Sequence, residues 1–186
     1  SPPLGPPVLV APKGGRNAPP TSTCGSAPGP DEQELYLSAR RDTWITVHGT
    51  DLPFDGPGFW EVASRNLSLS PWGVSVAMAE DQFAGMIQLD LERFREHNAG
   101  YIPLCYMAPE YRNRGFGVQL LGHAVSFFRS QGRRALRLRC AVTNDHAQHF
   151  YAKYDFHKVG EEQGKGFLLD VLEKPIAPPE IPGTIL

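Results

Sequence analysis

Apolar positions between residues 31 and 174 follow two periods, and the switches between them mark out the elements of a mixed fold. Over "DEQELYLSARRDTWITVHG" (31–49), Leu35, Leu37, Trp44 and Val47 can share a helix face, and acids occupy the first turn, where they favour the helix dipole. "GPGFWEVASRNLSL" (56–69) reads as a second, shorter helix. Pro71 resets the period, and "WGVSVAMAEDQFAGMIQLDLERF" (72–94) alternates about "EDQ" as the two strands of a hairpin. "AGYIPLCYMA" (99–108) is a third strand, and Val118 to Gln131 is a helix with Leu120, Leu121, Val125 and Phe128 toward the core. "RALRLRCAV" (134–142) alternates Leu and Arg as a strand with one wet face, "DHAQHFYAKYDF" (145–156) is a short helix, and "KGFLLDVLEK" (165–174) is a last strand. This order implies the α/β (α+β) class, a mixed sheet with helices on both faces.

Outside that body the pattern dissolves. Nearly half of residues 1–30 are Pro or Gly, which gives too little to pack and removes ladder donors. The segment reads as a linker or tail, with "PVLVAP" (7–12) as one short edge strand in the alternative. Residues 175–186 repeat the Pro-rich character as a second tail, leaving 31–174 as the folded domain. A Pro-rich lead-in that starts at Ser1 fits a module with an upstream domain, and a homodimer is equally open.

Charge and cysteine usage narrow the setting. Lys plus Arg total 18 against 20 acids, a net charge of -2, so no overall basic field calls for nucleic acid or an anionic membrane. No apolar run approaches the ~18 residues of a membrane span, and no charged-then-apolar leader opens the chain. Cys24, Cys105 and Cys140 are odd in number and widely separated, which fits unpaired thiols in a reducing, cytoplasmic compartment. His123, His146 and His149 lie at no metal-binding spacing, so no metal is expected.

The chemistry concentrates in "APEYRNRGFGVQLLGHAVSFF" (108–128), where a strand runs through arginines and glycines straight into a helix. A helix start has four N–H groups without internal partners and about half a positive charge. Gly115 and Gly117 let the backbone turn tightly and let an anion approach, while Arg112 and Arg114 add fork-shaped donors for phosphate oxygens. A P-loop is excluded because no glycine stands in frame before Lys and Ser or Thr. A dinucleotide fingerprint is excluded because Leu120 occupies the place of its third glycine.

Arg112-Asn113-Arg114-Gly115-Phe116-Gly117 resembles the acetyl-coenzyme A loop of the GNAT N-acetyltransferase superfamily, and "NDHAQHFYAKYDF" (144–156) resembles its second stretch. The resemblance spans about residues 85–174 and implies a GNAT-like, largely antiparallel central sheet whose two central parallel strands splay apart around the pantetheine arm. It implies acetyl-coenzyme A as cosubstrate, its pyrophosphate on the loop from Arg112 through Gly117 and its pantetheine amides on the strand edge at Tyr106 and Met107. Asn144 matches a position that contacts the arm, Lys153 one that can reach the ribose phosphate, and Tyr151 the tyrosine that protonates the departing thiolate. Such chemistry is direct attack of a neutral amine on the thioester, so Cys105 need not be a nucleophile. Tyr151 as a plain core aromatic and Asn144 as a helix cap are the bland alternatives.

Two positions depart from the family pattern. Tyr101 stands where some members carry a basic glutamate, which leaves Asp90, Glu92, a water chain or an amine of low pKa to meet that need. Asp155 replaces a glycine, at a place where Asp tolerates a left-handed turn. The acceptor, a small-molecule or peptide amine, should meet a wall built by residues 31–69 and the hairpin, with Trp44, Phe54, Phe59 and Trp60 beside Asp51, Asp55 and Glu61. A non-catalytic acyl-coenzyme A sensor attached to another domain is the rival reading.

Overall fold

The structure, a computed structural model, describes residues 8–10 (backbone only), 32–79 and 82–178. Helix α1 (Glu32–His48) and α2 (Gly56–Leu69) come first after a short strand β1 (Val8–Val10). Strands β2 (Val74–Ala79) and β3 (Gln82–Asp90) form the hairpin, followed by β4 (Ala99–Met107), α3 (Gly117–Ser130) and β5 (Ala135–Ala141). Helix α4 (Asp145–Lys153), β6 (His157–Gln163) and β7 (Leu168–Pro175) complete the domain. The sheet order is β1-β2-β3-β4-β5-β7-β6, antiparallel throughout except where β4 meets β5.

That parallel contact is short. Ala99, Gly100 and Tyr101 pair with Ala135, Leu136 and Arg137, and there the pairing stops, although β4 runs on to Met107 and β5 to Ala141. Against β3, Gln88 pairs with Leu104 but Asp90 with Tyr101, so Ile102 and Pro103 together oppose Leu89. This is a bulge of one extra residue, which bends β4 and raises its twist. Pro103 has no N–H for a ladder bond, and the bulge is where a strand can hold it.

Helices lie on both faces. Adjacent strand residues point to opposite sides. A Cβ on Gly100 would stand 2.2 Å from the Phe128 ring of α3, whereas Tyr101 faces a cavity walled by α1 and α2. The core of Tyr36, Met86, Ile87, Leu89, Leu120, Phe128, Leu136 and Leu138 fills both layers. One polar network crosses it. Gln88, fully buried, accepts from the Tyr36 hydroxyl (2.8 Å) and from Arg40 (3.0 Å), and its amide donates to Asn66 (2.7 Å), joining α1, α2 and β3.

Several expectations need correction. The buried stripe of α1 is Tyr36 and Ala39; Leu35, Leu37, Trp44 and Val47 are only half-buried, because the Tyr36 hydroxyl has a partner in Gln88 and can enter the core. On α3, Leu120, Leu121 and Phe128 are buried and Val125 packs against the core as expected, but Ala124 is buried with them and the helix begins at Gly117. Strand β6 was not anticipated: as the outermost strand its sequence "HKVGEEQ" buries nothing completely and carries no alternation. At the opposite edge Val8–Val10 pairs with Val76–Met78 of β2, so "PVLVAP" supplies the short strand that was the alternative to plain linker.

Gly100→Ala should destabilise the domain by about 1–3 kcal/mol, the usual range for overpacking, or more given a ring at 2.2 Å. Gly122→Ala, where a Cβ meets nothing within 4 Å, should not. Urea unfolding of both variants checks the difference.

Candidate functional site

The loop between β4 and α3 is built around left-handed residues. After a 3-10 turn at Pro109–Tyr111, Asn113 and Gly115 take φ of 60 and 77 and Phe116 returns to -79. Among the described residues, the N–H groups from Asn113 through Val118 donate to no backbone acceptor. They lie at the N-terminal, positive end of a 14-residue helix, a place suited to anionic oxygens. Gly115 supplies the positive φ, and a Cβ there would meet nothing within 4 Å. Gly117 has another reason. Its Cβ would lie 2.9 Å from the tip of the Phe150 ring, so the packing of α3 on α4 also favours glycine there.

The two arginines of the loop differ. Arg114 is exposed and has no ion pair among the described residues, leaving its fork available. Arg112 is committed: it donates to the Met107 carbonyl (2.9 Å) and to Asp42 of α1 (2.7 Å), with its guanidinium 5.4 Å from the Tyr106 ring centre. Through Nε and one η nitrogen it braces the loop against β4 and α1. The Tyr106 hydroxyl also donates to Asp42 (2.5 Å), and burial, reinforced by that carboxylate, raises its pKa. Met107 ends β4 beside this brace.

Beyond Tyr101 the two central strands diverge, and three groups meet where they part. Cys105 of β4, Cys140 of β5 and Tyr151 of α4 come together, with both thiols near enough to the Tyr151 phenol to act on its proton affinity. Burial pushes both thiols up to about 12, helped at Cys140 by Asp170, so neither is a thiolate near neutrality. Burial also raises the Tyr151 phenol well above its ordinary value, so it keeps its proton. The Tyr151 ring packs on Phe150 (5.3 Å) and Phe156 (5.4 Å), which makes the residue a core aromatic whose hydroxyl stands near the two thiols.

The remaining expected residues lie around α4. Asn144 is its N-cap, accepting from the Ala147 N–H (3.2 Å), and its amide nitrogen has no such role. Lys153 is exposed in the last turn, 5.6 Å from the Tyr154 ring. Asp155 takes φ 65, the left-handed turn that its family position calls for.

On the α1/α2 face, a cavity of about 440 Å³ reaches the bulge at Pro103. Phe59 and Tyr101 supply aromatic surface, and Arg40, Arg65, Arg93 and Arg139 supply charge. Glu162 of β6 bridges Arg93 (2.7 Å) and Arg139 (3.1 Å), and Arg139 also donates to the Tyr101 hydroxyl (2.8 Å). Asp90, nearly buried, accepts from the N–H groups of Glu92 (2.8 Å) and Arg93 (3.0 Å). The acids expected on this wall are elsewhere. Asp55 caps α2, Glu61 pairs with Arg65 on the surface at 3.9 Å, and Asp51 is exposed; none lines the cavity. Trp44, Phe54 and Phe59 do pack together, with Phe167 from the β6–β7 turn joining them 5.7 Å from Trp44. Sequence reasoning missed Arg40, Asp42 and Glu162. Only the i, i+4 spacing of Tyr36 and Arg40 could have hinted at a shared role.

Among the described residues no helix is long and apolar enough to cross a membrane, and no three His, Cys, Asp or Glu side chains are grouped to hold a metal.

Comparison with known proteins agrees with this geometry. An uncharacterized N-acetyltransferase of Archaeoglobus fulgidus is 29% identical over 103 residues, 54% of this chain and 69% of that protein. The PaiA N-acetyltransferase of Thermoplasma acidophilum, solved in complex with coenzyme A, superposes with a TM-score of 0.59 at 21% identity, over 77% of this chain and 92% of that one. Nourseothricin acetyltransferase gives a TM-score of 0.51 at 24% identity over 56% of this chain, which spans 65% of that protein's length. Residues 35–156, from the middle of α1's first turns to the end of the second motif, match the Acetyltransferase (GNAT) family, and the chain belongs to that family.

Proposed function

We propose that the protein is an N-acetyltransferase that carries the acetyl group of acetyl-coenzyme A to a primary amine by direct attack. The observation that carries this reading is the divergence of β4 from β5 after Tyr101, with unpaired loop N–H groups at one end and Tyr151 beside the gap. Acetyl-coenzyme A supplies an activated thioester. The N–H groups from Asn113 through Val118, with Arg114, would hold its diphosphate, and Lys153 would face its ribose phosphate. The β4 edge at Tyr106 and Met107 would pair with its amides, and the free amide nitrogen of Asn144 lies at the start of α4 for the same arm.

The chain's own groups cover the proton movements. The amine enters from the cavity on the α1/α2 face, which meets the gap at Pro103. Tyr151 arrives protonated and can donate to the sulfur as negative charge develops there. Protonated Cys105 and Cys140 make an acyl-cysteine route poor and a direct route the better one. Their free thiols also support a reducing, cytoplasmic setting. Asp90 is the carboxylate nearest to Tyr101 in the strand register, with one oxygen held by backbone N–H groups, and would serve as base directly or through water.

Tyr151→Phe should lower kcat by about 10²-fold or more, the usual weight of a general acid, while calorimetric affinity for acetyl-coenzyme A stays within a few-fold. A protein that binds acetyl-coenzyme A yet releases no thiol with any amine would instead be the sensor module. Asp42→Asn should weaken acetyl-coenzyme A binding about tenfold, because Arg112 and Tyr106 both lose their common anchor. Titration calorimetry beside a thermal melt separates this loop effect from global unfolding.

A further inference from the structure

One arginine of the cavity wall has no ion-pair partner among the described residues. Arg65 pairs with Glu61, Arg93 and Arg139 share Glu162, Arg112 pairs with Asp42, and Arg137 pairs with Glu173. Arg40 has no carboxylate within ion-pair distance among the described residues. The two acids of the wall, Asp90 and Glu92, form no ion pair with it, and Asp90 spends one oxygen on two backbone N–H groups.

Arg40 is nonetheless held firmly. Its Nε donates to the Tyr36 hydroxyl (3.0 Å), one η nitrogen donates to Gln88 (3.0 Å), and the guanidinium lies 4.6 Å from the Phe59 ring centre. Tyr36 and Gln88 are fully buried and Gln88 is fixed in turn by Asn66, so the guanidinium's orientation is set by the core. The other η nitrogen keeps its hydrogens for whatever enters the cavity. A half-buried guanidinium without a counterion is costly, and an oriented fork is the donor set that planar or tetrahedral oxyanions bind best.

We propose that the acceptor is a small amine that also carries a carboxylate or phosphate group, and that Arg40 receives that anion. This rests on the acetyltransferase reading for the word acceptor, but the anion site stands on the cavity alone. The volume of about 440 Å³ suits a small molecule. Phe59 and Tyr101 would cover its apolar part, and the bulge at Pro103 would lie beyond its amine end. The site therefore selects against simple polyamines, which would place a second cation against Arg40.

The test titrates the full chain, saturated with coenzyme A, with amines in matched pairs: 3-aminopropyl phosphate against 3-aminopropanol, and β-alanine against β-alaninamide. The anionic member of at least one pair should bind at least tenfold more tightly, and the preferred pair tells phosphate from carboxylate. Arg40→Gln should reduce that preference to within threefold of unity with coenzyme A affinity retained, and Arg40→Lys should recover part of it. Neutral members binding as well as anionic ones, or a preference that survives Arg40→Gln, would overturn the proposal. If Arg40→Gln does not fold, the wild-type pairs and the Lys variant decide alone. Thiol release from acetyl-coenzyme A with the same amines is scored separately: anion preference without release sinks the acetyltransferase reading and leaves the site, and release without preference does the reverse.

Discussion

Past Tyr101, β4 carries backbone donors and acceptors along an edge that β5 no longer meets, and much of the site depends on that loss of pairing. Buried backbone polar groups seek partners, so an opening between two central strands is a place for a ligand with amides of its own. The one-residue bulge at Ile102 and Pro103 bends β4 out of line, and β3 follows it on the other side without losing register beyond that point. At one end of the opening stand the loop N–H groups, at its wall Tyr151, and across the bulge the arginine-lined cavity.

Two side-chain assemblies keep those parts in place, and both run through α1. Tyr36 and Arg40 reach Gln88 in the core and fix the cavity wall, while Asp42 reaches Arg112 and Tyr106 and fixes the loop. A buried amide such as Gln88 is tolerable only when its donors and acceptors are met, and Tyr36, Arg40 and Asn66 meet them. The first helix thus joins the cavity wall to the loop, although it carries none of the residues that the family motifs mark.

Legibility in the sequence followed the kind of constraint each residue satisfies. The two helices before the hairpin, the hairpin itself, β4, α3 and β5 announced themselves through apolar residues at helical or strand spacing. The loop motif was legible because a left-handed turn into a helix needs Gly or Asn, and Asn113 and Gly115 supply it; Asp155 meets the same need at the end of α4. Strand β6 was not legible, since an edge strand exposed to water needs no alternation. The ion pair of Arg112 was not legible either, because its partner Asp42 stands 70 positions away.

By itself, then, the sequence determined what is local: helical and strand periods, the glycine and asparagine turns, and the family's two short motifs. Gly117 belongs half to that group, since the motif names it while its contact with Phe150 is visible only in the fold. Tertiary structure decided everything that depends on partners distant in the chain. It brought Cys105, Cys140 and Tyr151 together, joined Asp42 to Arg112, and left Arg40 without an ion-pair partner among the described residues. Charge compensation, burial and proton affinity are sums over neighbours in space, and no window along the chain contains those neighbours.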